Sequence, residues 1–465
     1  MERLSGLDAS FLYTETETQP LNVCSVVELD TSTMPGSYTF DRLRDGLEQW
    51  IKALPELRAK LADNPLNLDH PVWVEDPDFD IQRHLRRMRM PVRGRQSELA
   101  EICGRLASQP LDRGRPLWEM WVIERGADTA HSDGQLAVVT KAHHAAVDGI
   151  LAANLFERLC SSEPDASPPD LVDGPGQPTQ LEIAADGLVN FATRPLRLAG
   201  VLSKTAASIV TTLRRAHTGQ TMAAPFAAPP CRFNAAITAG RATAFAQLKL
   251  ADIKAVKNHF GVKVNDVVMA LCAGALRRLL ADRGELPKRS LIAMVPVSVH
   301  GESNRPGRNQ VSGMFCHLQT HIDDPVERLQ AITHGNAIAK DHSTAIGPTM
   351  LHDWTQFGTR GLVNAAARLY PITGLANRPV YNLLVSNVPG PQKPLYFLGA
   401  QLKAMYPLGP IFHSCGLNIT VMSLNGTLNV GILACPQLLP NVWELADNFP
   451  VELAALLRRS GSPHP

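Results

Sequence analysis

The segment Lys141-Ala142-His143-His144-Ala145-Ala146-Val147-Asp148-Gly149 places two adjacent histidines and a carboxylate just after an apolar run. Residues 135–140, before it, are rich in β-branched side chains, which favours a strand. Residues 150–160, after it, carry apolar side chains at helical spacing and contain no proline. The pattern predicts that the histidines lie on a turn between a strand and a helix, within an α/β fold.

A pair of histidines at such a turn suits proton transfer. An imidazole titrates near neutrality, with a pKa of about 6.5 in model peptides. A neutral histidine can therefore accept a proton from a hydroxyl and later return it to a leaving group. One histidine would act as the base, while the other, together with Asp148 and Gly149, would shape the turn.

Three other interpretations of the pair remain open. The histidines can simply cap and fill the turn. His144 and Asp148, four residues apart, can bind a metal, although the preceding strand spoils the helical geometry that this needs and no other His/Cys cluster converges in sequence. His143 and Asp148 also fit the His-x4-Asp spacing of glycerolipid acyltransferases, but the Phe-Pro-Glu-Gly block of those enzymes is missing. We therefore expect no metal.

The spacing His-His-x3-Asp-Gly is typical of the CoA-dependent acyltransferase superfamily, which includes chloramphenicol acetyltransferase and nonribosomal peptide condensation domains. Within it, the chain most resembles the bacterial wax ester synthase/diacylglycerol acyltransferase family. The chain departs from the family pattern at His300, where relatives often carry arginine, and Arg305 or Arg308 could substitute. The resemblance covers nearly the whole length, through the blocks LSGLDASF (4–11), HPVWV (70–74), DFD (78–80), PLW (116–118), VNDVVMA (264–270), VPVSV (295–299), SNVPGP (386–391) and PLY (394–396).

The resemblance implies two chloramphenicol-acetyltransferase-like lobes, each an α/β unit with a mixed sheet flanked by helices, that meet along a cleft. On this sequence the N-terminal lobe spans residues 1–160, a linker with a basic amphipathic helix spans 161–235, and the C-terminal lobe spans 236–465. A chain of 465 residues is too long for one ordinary hydrophobic core, which agrees with two lobes.

The resemblance also implies direct transfer of an acyl group from a CoA thioester to an alcohol. His144 would be the general base, and His143, Asp148 and Gly149 would hold the turn. Acyl-CoA is then a substrate, and no cofactor is expected. No acyl-enzyme is required, which agrees with the lack of a Gly-x-Ser-x-Gly sequence.

Further candidate residues lie outside the histidine motif. Asn265 opens a predicted helix, and its side chain either caps that helix or points into the cleft to orient the oxyanion or His144. The apolar residues 116–118 either line the acyl or alcohol channel or pack in the core; they are Pro116, Leu117 and Trp118. Asn387 is a candidate for the substrate-binding wall, and a hydrogen bond to the neighbouring lobe is its structural alternative.

The composition limits which partners the protein is expected to bind and where in the cell it is expected to lie. The formal net charge is +1, and no basic-aromatic array is present, so we expect no nucleic-acid binding. The 8 cysteines are scattered without close pairs, which is typical of reduced thiols in a cytosolic chain. The N-terminus lacks an apolar core flanked by basic residues, so no signal peptide is expected and the predicted location is cytoplasmic. The oligomeric state is not indicated.

Two further segments, residues 404–443 and residues 181–218, have distinctive compositions. Residues 404–443 contain no Lys, Arg, Asp or Glu, but prolines and glycines break any membrane-spanning helix there. Asn425-Gly426 instead predicts a hairpin between strands at 417–423 and 427–435. Residues 181–218 have a helical pattern interrupted at Pro195, and no acidic residue lies between 194 and 215, where the basic residues are Arg194, Arg197, Lys204, Arg214 and Arg215.

The basic helical segment has two interpretations. It can dock peripherally on an anionic membrane or lipid-droplet surface, or it can cover the junction between the lobes with a solvated basic side.

The leading substrate hypothesis is an acyl-CoA:diacylglycerol O-acyltransferase that makes triacylglycerol. Long-chain fatty alcohols are the alternative acceptors, because a long apolar tunnel would serve both. An amide-forming condensation enzyme is disfavoured, since the Asp-Phe-Gly-Trp-Gly-like block of those relatives and a carrier domain are missing. A non-enzymatic lipid-binding or droplet protein of the same fold is the remaining alternative, and the intact histidine motif argues against it.

Overall fold

The structure is a computed structural model. It describes residues 2–65, 68–90, 95–125, 134–147, 156–172, 174, 176–298, 311–347, 350–374 and 377–461. Asp148, Gly149, His300, Arg305 and Arg308 lie outside the described residues, as does most of the helix predicted after the histidines.

The described strands are β1 (Glu2–Arg3), β2 (Asn22–Asp30), β3 (Ala59–Ala62), β4 (Val72–Glu75), β5 (Leu85–Met90), β6 (Trp118–Arg125), β7 (Gln135–His143), β8 (Cys160–Ser161), β9 (Ala242–Lys249), β10 (Ile292–Ser298), β11 (Val311–His317), β12 (Leu383–Val388), β13 (Tyr396–Phe397), β14 (Ala400–Leu408), β15 (Leu417–Leu424) and β16 (Thr427–Ala434). The described α-helices are α1 (Gly6–Thr14), α2 (Phe40–Lys52), α3 (Gln96–Ala107), α4 (Gln180–His217), α5 (Leu250–Phe260), α6 (Val264–Asp282), α7 (Pro325–Ile346), α8 (Met350–Thr355), α9 (Arg360–Leu369) and α10 (Trp443–Arg459).

The larger sheet of the first lobe has the order β5-β6-β7-β2-β14-β13-β8. It is mixed, since β5 pairs with β6 in parallel while β6, β7 and β2 pair antiparallel. Strand β14 comes from the region assigned to the C-terminal lobe, yet it pairs with β2 over most of its length. The described lobes are therefore linked by an exchanged strand, and the boundaries at 160 and 235 stay a prediction.

The sheet of the second lobe has the order β11-β10-β12-β15-β16-β9, with parallel pairs on both sides of β12. The predicted hairpin is confirmed: β15 and β16 pair antiparallel across Asn425 and Gly426. Both turn residues have positive φ, 42° and 81°, as a tight two-residue hairpin requires. Helix α6 packs at the centre of this lobe, because its apolar residues face the sheet on one side and α7 and α10 on the other.

Helix α4 runs without a break through Pro195, so the predicted interruption is wrong. Both halves of the helix are held by neighbours, which offsets the hydrogen bond that proline removes. In the first half, the Asn64 side chain donates to the carbonyl of Ile183 (2.9 Å). In the second half, the Ser208 hydroxyl donates to the carbonyl of Ile346 at the end of α7 (2.7 Å).

The start of α6 gives a stability prediction. Asp266 is buried; one carboxylate oxygen accepts from the backbone N–H of Lys263 (3.1 Å) and the other from the side-chain amide of Asn336 in α7 (2.9 Å). We expect Asp266→Ala to lower the free energy of unfolding by about 2 kcal/mol, because the buried Asn336 amide and the N-cap N–H of Lys263 lose their acceptor. Urea unfolding would measure it. Asp282→Ala, at the exposed far end of α6, is the control, and an equal loss there would contradict the argument.

Candidate active site

The histidine turn is fixed by hydrogen bonds on both sides of β7. The backbone N–H of His143 donates to the carbonyl of Leu117 (3.0 Å), and the N–H of His144 donates to the carbonyl of Leu21 (2.8 Å). The N–H of Ala146 then closes the turn on the carbonyl of His143 (2.9 Å). The end of β7 is therefore hydrogen-bonded to Leu117 on one edge and to Leu21 on the other. These bonds fix which of the two imidazoles faces which way.

His143 is fully buried, and its surroundings define one tautomer. Its Nδ1 accepts a hydrogen bond from the backbone N–H of Ala145 (3.0 Å), so the proton of the neutral ring lies on Nε2. Nε2 faces Oε1 of Glu15 at 3.4 Å. Both ring nitrogens thus face protein groups and not the cavity, which suits a residue that holds the turn.

Glu15 is a site residue that the sequence reasoning missed. Its carboxylate also accepts from the Arg113 guanidinium (2.6 Å) and from the backbone N–H of Leu21 (3.1 Å). Burial alone raises the pKa of Glu15, but the hydrogen bonds from His143, Arg113 and Leu21 outweigh it and lower the pKa to about 2. The Glu15 side chain is therefore ionised at neutral pH, beside the buried histidine.

His144 is half-buried and faces the cavity between the lobes. Its ring stacks on Phe11 of α1, with centroids 4.0 Å apart and an angle of 17° between the planes. Of the two histidines, only His144 is in the cavity wall. That placement is the one expected of the general base, while its role stays a prediction.

The cavity has a volume of about 1090 Å³ and lies between the two sheets. Strands β2, β6, β7 and β14 of the first sheet and β10, β11, β12 and β15 of the second contribute to its wall. The wall beneath β6 and β14 is apolar and includes Leu57, Met120, Phe156 and Met405. A mostly apolar cavity with a few polar groups is the usual form of a site for a lipid-like ligand.

The three residues of segment 116–118 occupy different positions relative to the cavity. Trp118 lines the cavity; its indole N–H donates to the carbonyl of Leu57 (2.7 Å), and its ring stacks on His84 at 4.6 Å. Pro116 and Leu117 are buried but lie outside the cavity wall. Leu117 packs in the cluster that contains Ala145, Ala146 and Val147, and its carbonyl holds His143, so core packing describes Pro116 and Leu117 better than channel lining.

Asn265 and Asn387 form a pair. The side-chain amide of Asn387 donates to the side-chain oxygen of Asn265 (3.4 Å). Asn387 lines the cavity and Asn265 does not. The N-cap of α6 is Lys263, whose N–H is satisfied by Asp266, so Asn265 neither caps the helix nor faces the cavity. Its observed contact holds Asn387, and both residues belong to the second lobe.

A second imidazole, that of His413, also lines the cavity and was not predicted. Its Nδ1 accepts from the backbone N–H of Ile237 (3.2 Å), and its Nε2 lies 3.3 Å from the hydroxyl of Thr18. Burial and, to a lesser extent, the charge of Arg241 lower its pKa. A neutral ring with both nitrogens engaged is poorly placed to accept a substrate proton, which distinguishes it from a base.

The described residues contain neither a metal-binding cluster nor a membrane-spanning helix. Within the part of the chain that the structure describes, no three His, Cys, Asp or Glu side chains are grouped so that they could bind a metal ion. In the same part, no helix combines the length and apolar character needed to cross a membrane.

Comparison with known proteins decides the family. The profile described as the wax ester synthase/diacylglycerol acyltransferase catalytic domain matches residues 4–268, and that of the WS/DGAT C-terminal domain matches residues 308–457. The chain belongs to this family. It is therefore an acyltransferase, and the resemblance noted in the sequence is confirmed.

Individual relatives agree with this assignment. A Mycobacterium tuberculosis protein named as a diacylglycerol O-acyltransferase is 58% identical over 460 residues, covering 99% of this chain and 91% of the relative. The structure of the wax ester synthase/diacylglycerol acyltransferase from Marinobacter aquaeolei VT8 is similar with a TM-score of 0.72 and 29% identity, covering 99% and 100% of the two chains. A condensation domain of the calcium-dependent antibiotic synthetase, with a TM-score of 0.61 and 15% identity over 100% of this chain and 97% of that one, shares the fold. The predicted two-lobed α/β fold is confirmed.

The low pKa of Glu15 gives a prediction for the stability of this protein. Because folding lowers this pKa from its ordinary 4.5 to about 2, the carboxylate stabilises the fold above pH 4.5 and loses that contribution as the pH falls toward 2. We expect Glu15→Gln to lower stability by on the order of 2–3 kcal/mol at pH 7. The gap from the wild type should shrink below pH 4.5.

Calorimetric melting temperatures at several pH values between 3 and 7 would check this. Glu17→Gln is the matched control, because Glu17 is exposed and two residues away. A gap between wild type and Glu15→Gln that is equal at pH 3 and pH 7 would contradict the linkage.

Proposed function

We propose that the chain transfers the acyl group of a long-chain acyl-CoA to the free hydroxyl of diacylglycerol, giving triacylglycerol and CoA. The observation that carries the proposal is the position of His144 in the wall of a large apolar cavity, in a chain 58% identical to a protein named as a diacylglycerol O-acyltransferase. Acyl-CoA is a substrate in this reaction, and no cofactor takes part.

In the proposed reaction His144 removes the proton from the acceptor hydroxyl as the oxygen attacks the thioester carbonyl. The tetrahedral intermediate then collapses, the carbon–sulfur bond breaks, and His144 returns the proton to the departing CoA thiolate. General acid-base catalysis of this kind contributes about 10²- to 10⁴-fold. The transfer is direct, so no covalent acyl-enzyme forms.

The neighbours of His144 have positioning roles in this proposal. His143 fixes the turn, because its tautomer is set by Ala145 on one side and Glu15 on the other. Asn387 presents its amide to the cavity, and Asn265 holds that amide in place. An amide N–H in that wall is a donor of the type that stabilises an oxyanion. Asp148 and Gly149 complete the predicted motif beyond the described residues.

A second acceptor class, long-chain fatty alcohols, has specific support. The cavity wall is apolar on several sides, and a single alkyl chain would fit such a surface as well as a glycerolipid would. The Marinobacter structure, 29% identical, is named for both wax ester and diacylglycerol activities. Wax ester synthesis is therefore the alternative, and diacylglycerol is preferred because of the higher identity to the mycobacterial relative.

Release of free thiol from palmitoyl-CoA tests the proposal. Purified protein would be assayed with diacylglycerol, with hexadecanol and without acceptor. We expect acceptor-dependent release that is fastest with diacylglycerol. His144→Ala should lower it at least about 100-fold, because the base is lost.

His143→Ala is the matched control. It should reduce activity together with thermal stability, since it removes a buried side chain that holds the turn. Full activity in His144→Ala would eliminate the assigned base. Bound lipid without release for any acceptor would favour the non-enzymatic alternative.

We also propose that α4 attaches the enzyme to an anionic lipid surface. The helix is 38 residues long, and only Ile183 and Gly187 are buried among its residues. Thr205, Ser208 and Thr212 face α7 and α8, where they hydrogen bond to Trp354, Ile346 and His342. The rest of the helix surface exposes large apolar side chains, namely Leu181, Leu188, Val189, Phe191, Leu196, Leu202, Ile209, Val210 and Leu213.

This arrangement is unusual for a helix that covers a junction, because its apolar side faces away from the protein. Several of the side chains are far more exposed than a water-facing helix normally shows; Leu196 is 79% exposed and Leu213 is 60% exposed. Exposed basic residues on the same helix, Arg197, Lys204 and Arg214, complement anionic headgroups. An amphipathic helix lying in the headgroup region matches these features.

Co-sedimentation with phosphatidylglycerol vesicles tests the attachment. We expect the wild type to bind and to be released by high salt. The double substitution Leu196→Glu and Leu213→Glu should weaken partitioning at least about tenfold, because two apolar anchors are lost. Leu171→Glu is the control, since Leu171 is 76% exposed but lies off the helix. Equal binding by all three proteins would refute the assignment of α4.

A further inference from the structure

The cavity reaches the surface at α8 and α9. Trp354 of α8 and Leu362 of α9 line the cavity, yet they are 40% and 72% exposed. None of the residues of α9 is buried, although Val363 and Ala366 also contribute to the cavity wall. Side chains that touch both the cavity and the solvent mark an opening, which we call the α8–α9 rim (Trp354, Leu362, Val363, Ala366).

The rim is one helix away from His144. Helix α9 packs on α1, where Val363 contacts the apolar cluster that includes Leu12 and Tyr13, and the Asn364 amide donates to the carbonyl of Tyr13 (3.2 Å). From the same helix α1, Phe11 stacks on the His144 ring. The rim, Phe11 and the His144 ring therefore line one continuous cavity.

The rim contacts α4 at Thr205, and the exposed Leu202 and Ile209 lie three residues before and four residues after that contact. The indole N–H of Trp354 donates to the hydroxyl of Thr205 in α4 (2.9 Å). At the end of α9 and just after it, Leu369 and Ile372 are 55% and 77% exposed, so apolar surface also continues past this helix. A lipid surface that contacts α4 would thus lie close to the opening of the cavity.

We propose that the α8–α9 rim is the portal through which diacylglycerol passes from the lipid surface to His144. This inference rests on the proposed function and deepens it. Diacylglycerol is nearly insoluble in water, and an apolar rim beside the lipid-binding helix lets it move without exposing its chains to solvent. A water-soluble acceptor has no such need, so the portal predicts that the two kinds of acceptor respond differently to a charge at the rim.

The kinetic test uses Leu362→Glu, which places a carboxylate at the opening but alters an exposed residue. For diacylglycerol presented in vesicles, kcat/KM should fall at least about tenfold, because apolar chains must pass a charge. For hexan-1-ol in solution it should change less than about twofold, and vesicle binding should be unchanged. The matched control Leu196→Glu, on α4 and outside the cavity wall, should affect vesicle binding instead.

Two kinetic outcomes would overturn the portal. Equal losses for diacylglycerol and hexan-1-ol would show that Leu362→Glu disturbs the catalytic site. A loss with diacylglycerol that parallels a loss of vesicle binding would show that the rim only contributes to attachment.

A second measurement does not depend on turnover. Vesicles containing a diazirine-labelled diacylglycerol would be irradiated with the wild-type protein, and the cross-linked peptides would be located by mass spectrometry. Labelling of residues 350–372 supports the portal, and labelling confined to other segments overturns it. If no acceptor gives thiol release, the proposed function fails, while the cross-link map still decides whether diacylglycerol occupies the rim.

Discussion

The antiparallel pairing of β2 with β7 determines where both histidines point. Side chains alternate between the two faces of a strand, so the register that places Asn22 opposite His143 also sends His143 into the protein. The next residue, His144, then faces the cavity. A slip of one residue would exchange them and leave the buried Glu15 carboxylate opposite the wrong side chain. The pair Glu15–His143 is thus both a consequence of this register and a reason for it, since the carboxylate has a low pKa only while its donors are in place.

The parts of the structure that the sequence predicted are those that depend on neighbouring residues. The strand before the histidines, the turn itself and the Asn425-Gly426 hairpin follow from local patterning, and the structure has all three. Glu15 escaped prediction because it is 128 positions from His143, and only the β2–β7 pairing brings it there. The insertion of β14 into the first sheet is non-local for the same reason. Local pattern also could not decide between cap and cleft for Asn265, whose observed partner Asn387 lies 122 residues away.

Polar and apolar side chains lie on different sides of His144. On one side, the buried ring of His143 and the Glu15 carboxylate provide a fixed polar support that water does not reach. On the other side, Phe11 of α1 stacks on the His144 ring, and α9, which carries no buried residue, packs on α1. His144 therefore has fixed polar groups on one side and apolar side chains on the other. Such an arrangement suits an acceptor whose reactive hydroxyl is small compared with its hydrocarbon chains.

Helix α4 lies at the protein surface, beside the rim of the cavity. Its polar side is satisfied within the protein: the hydroxyls of Thr205 and Ser208 bond to α8 and to the end of α7. Its apolar side has no such partner among the described residues, and that orientation is costly in water over so long a helix. The proposed lipid surface would remove the cost, and because Trp354 of the rim is hydrogen-bonded to α4, it would also lie near the opening of the cavity. In the proposal, attachment and delivery of the acceptor are two effects of one surface, which would explain why the helix keeps apolar side chains exposed instead of burying them in the junction.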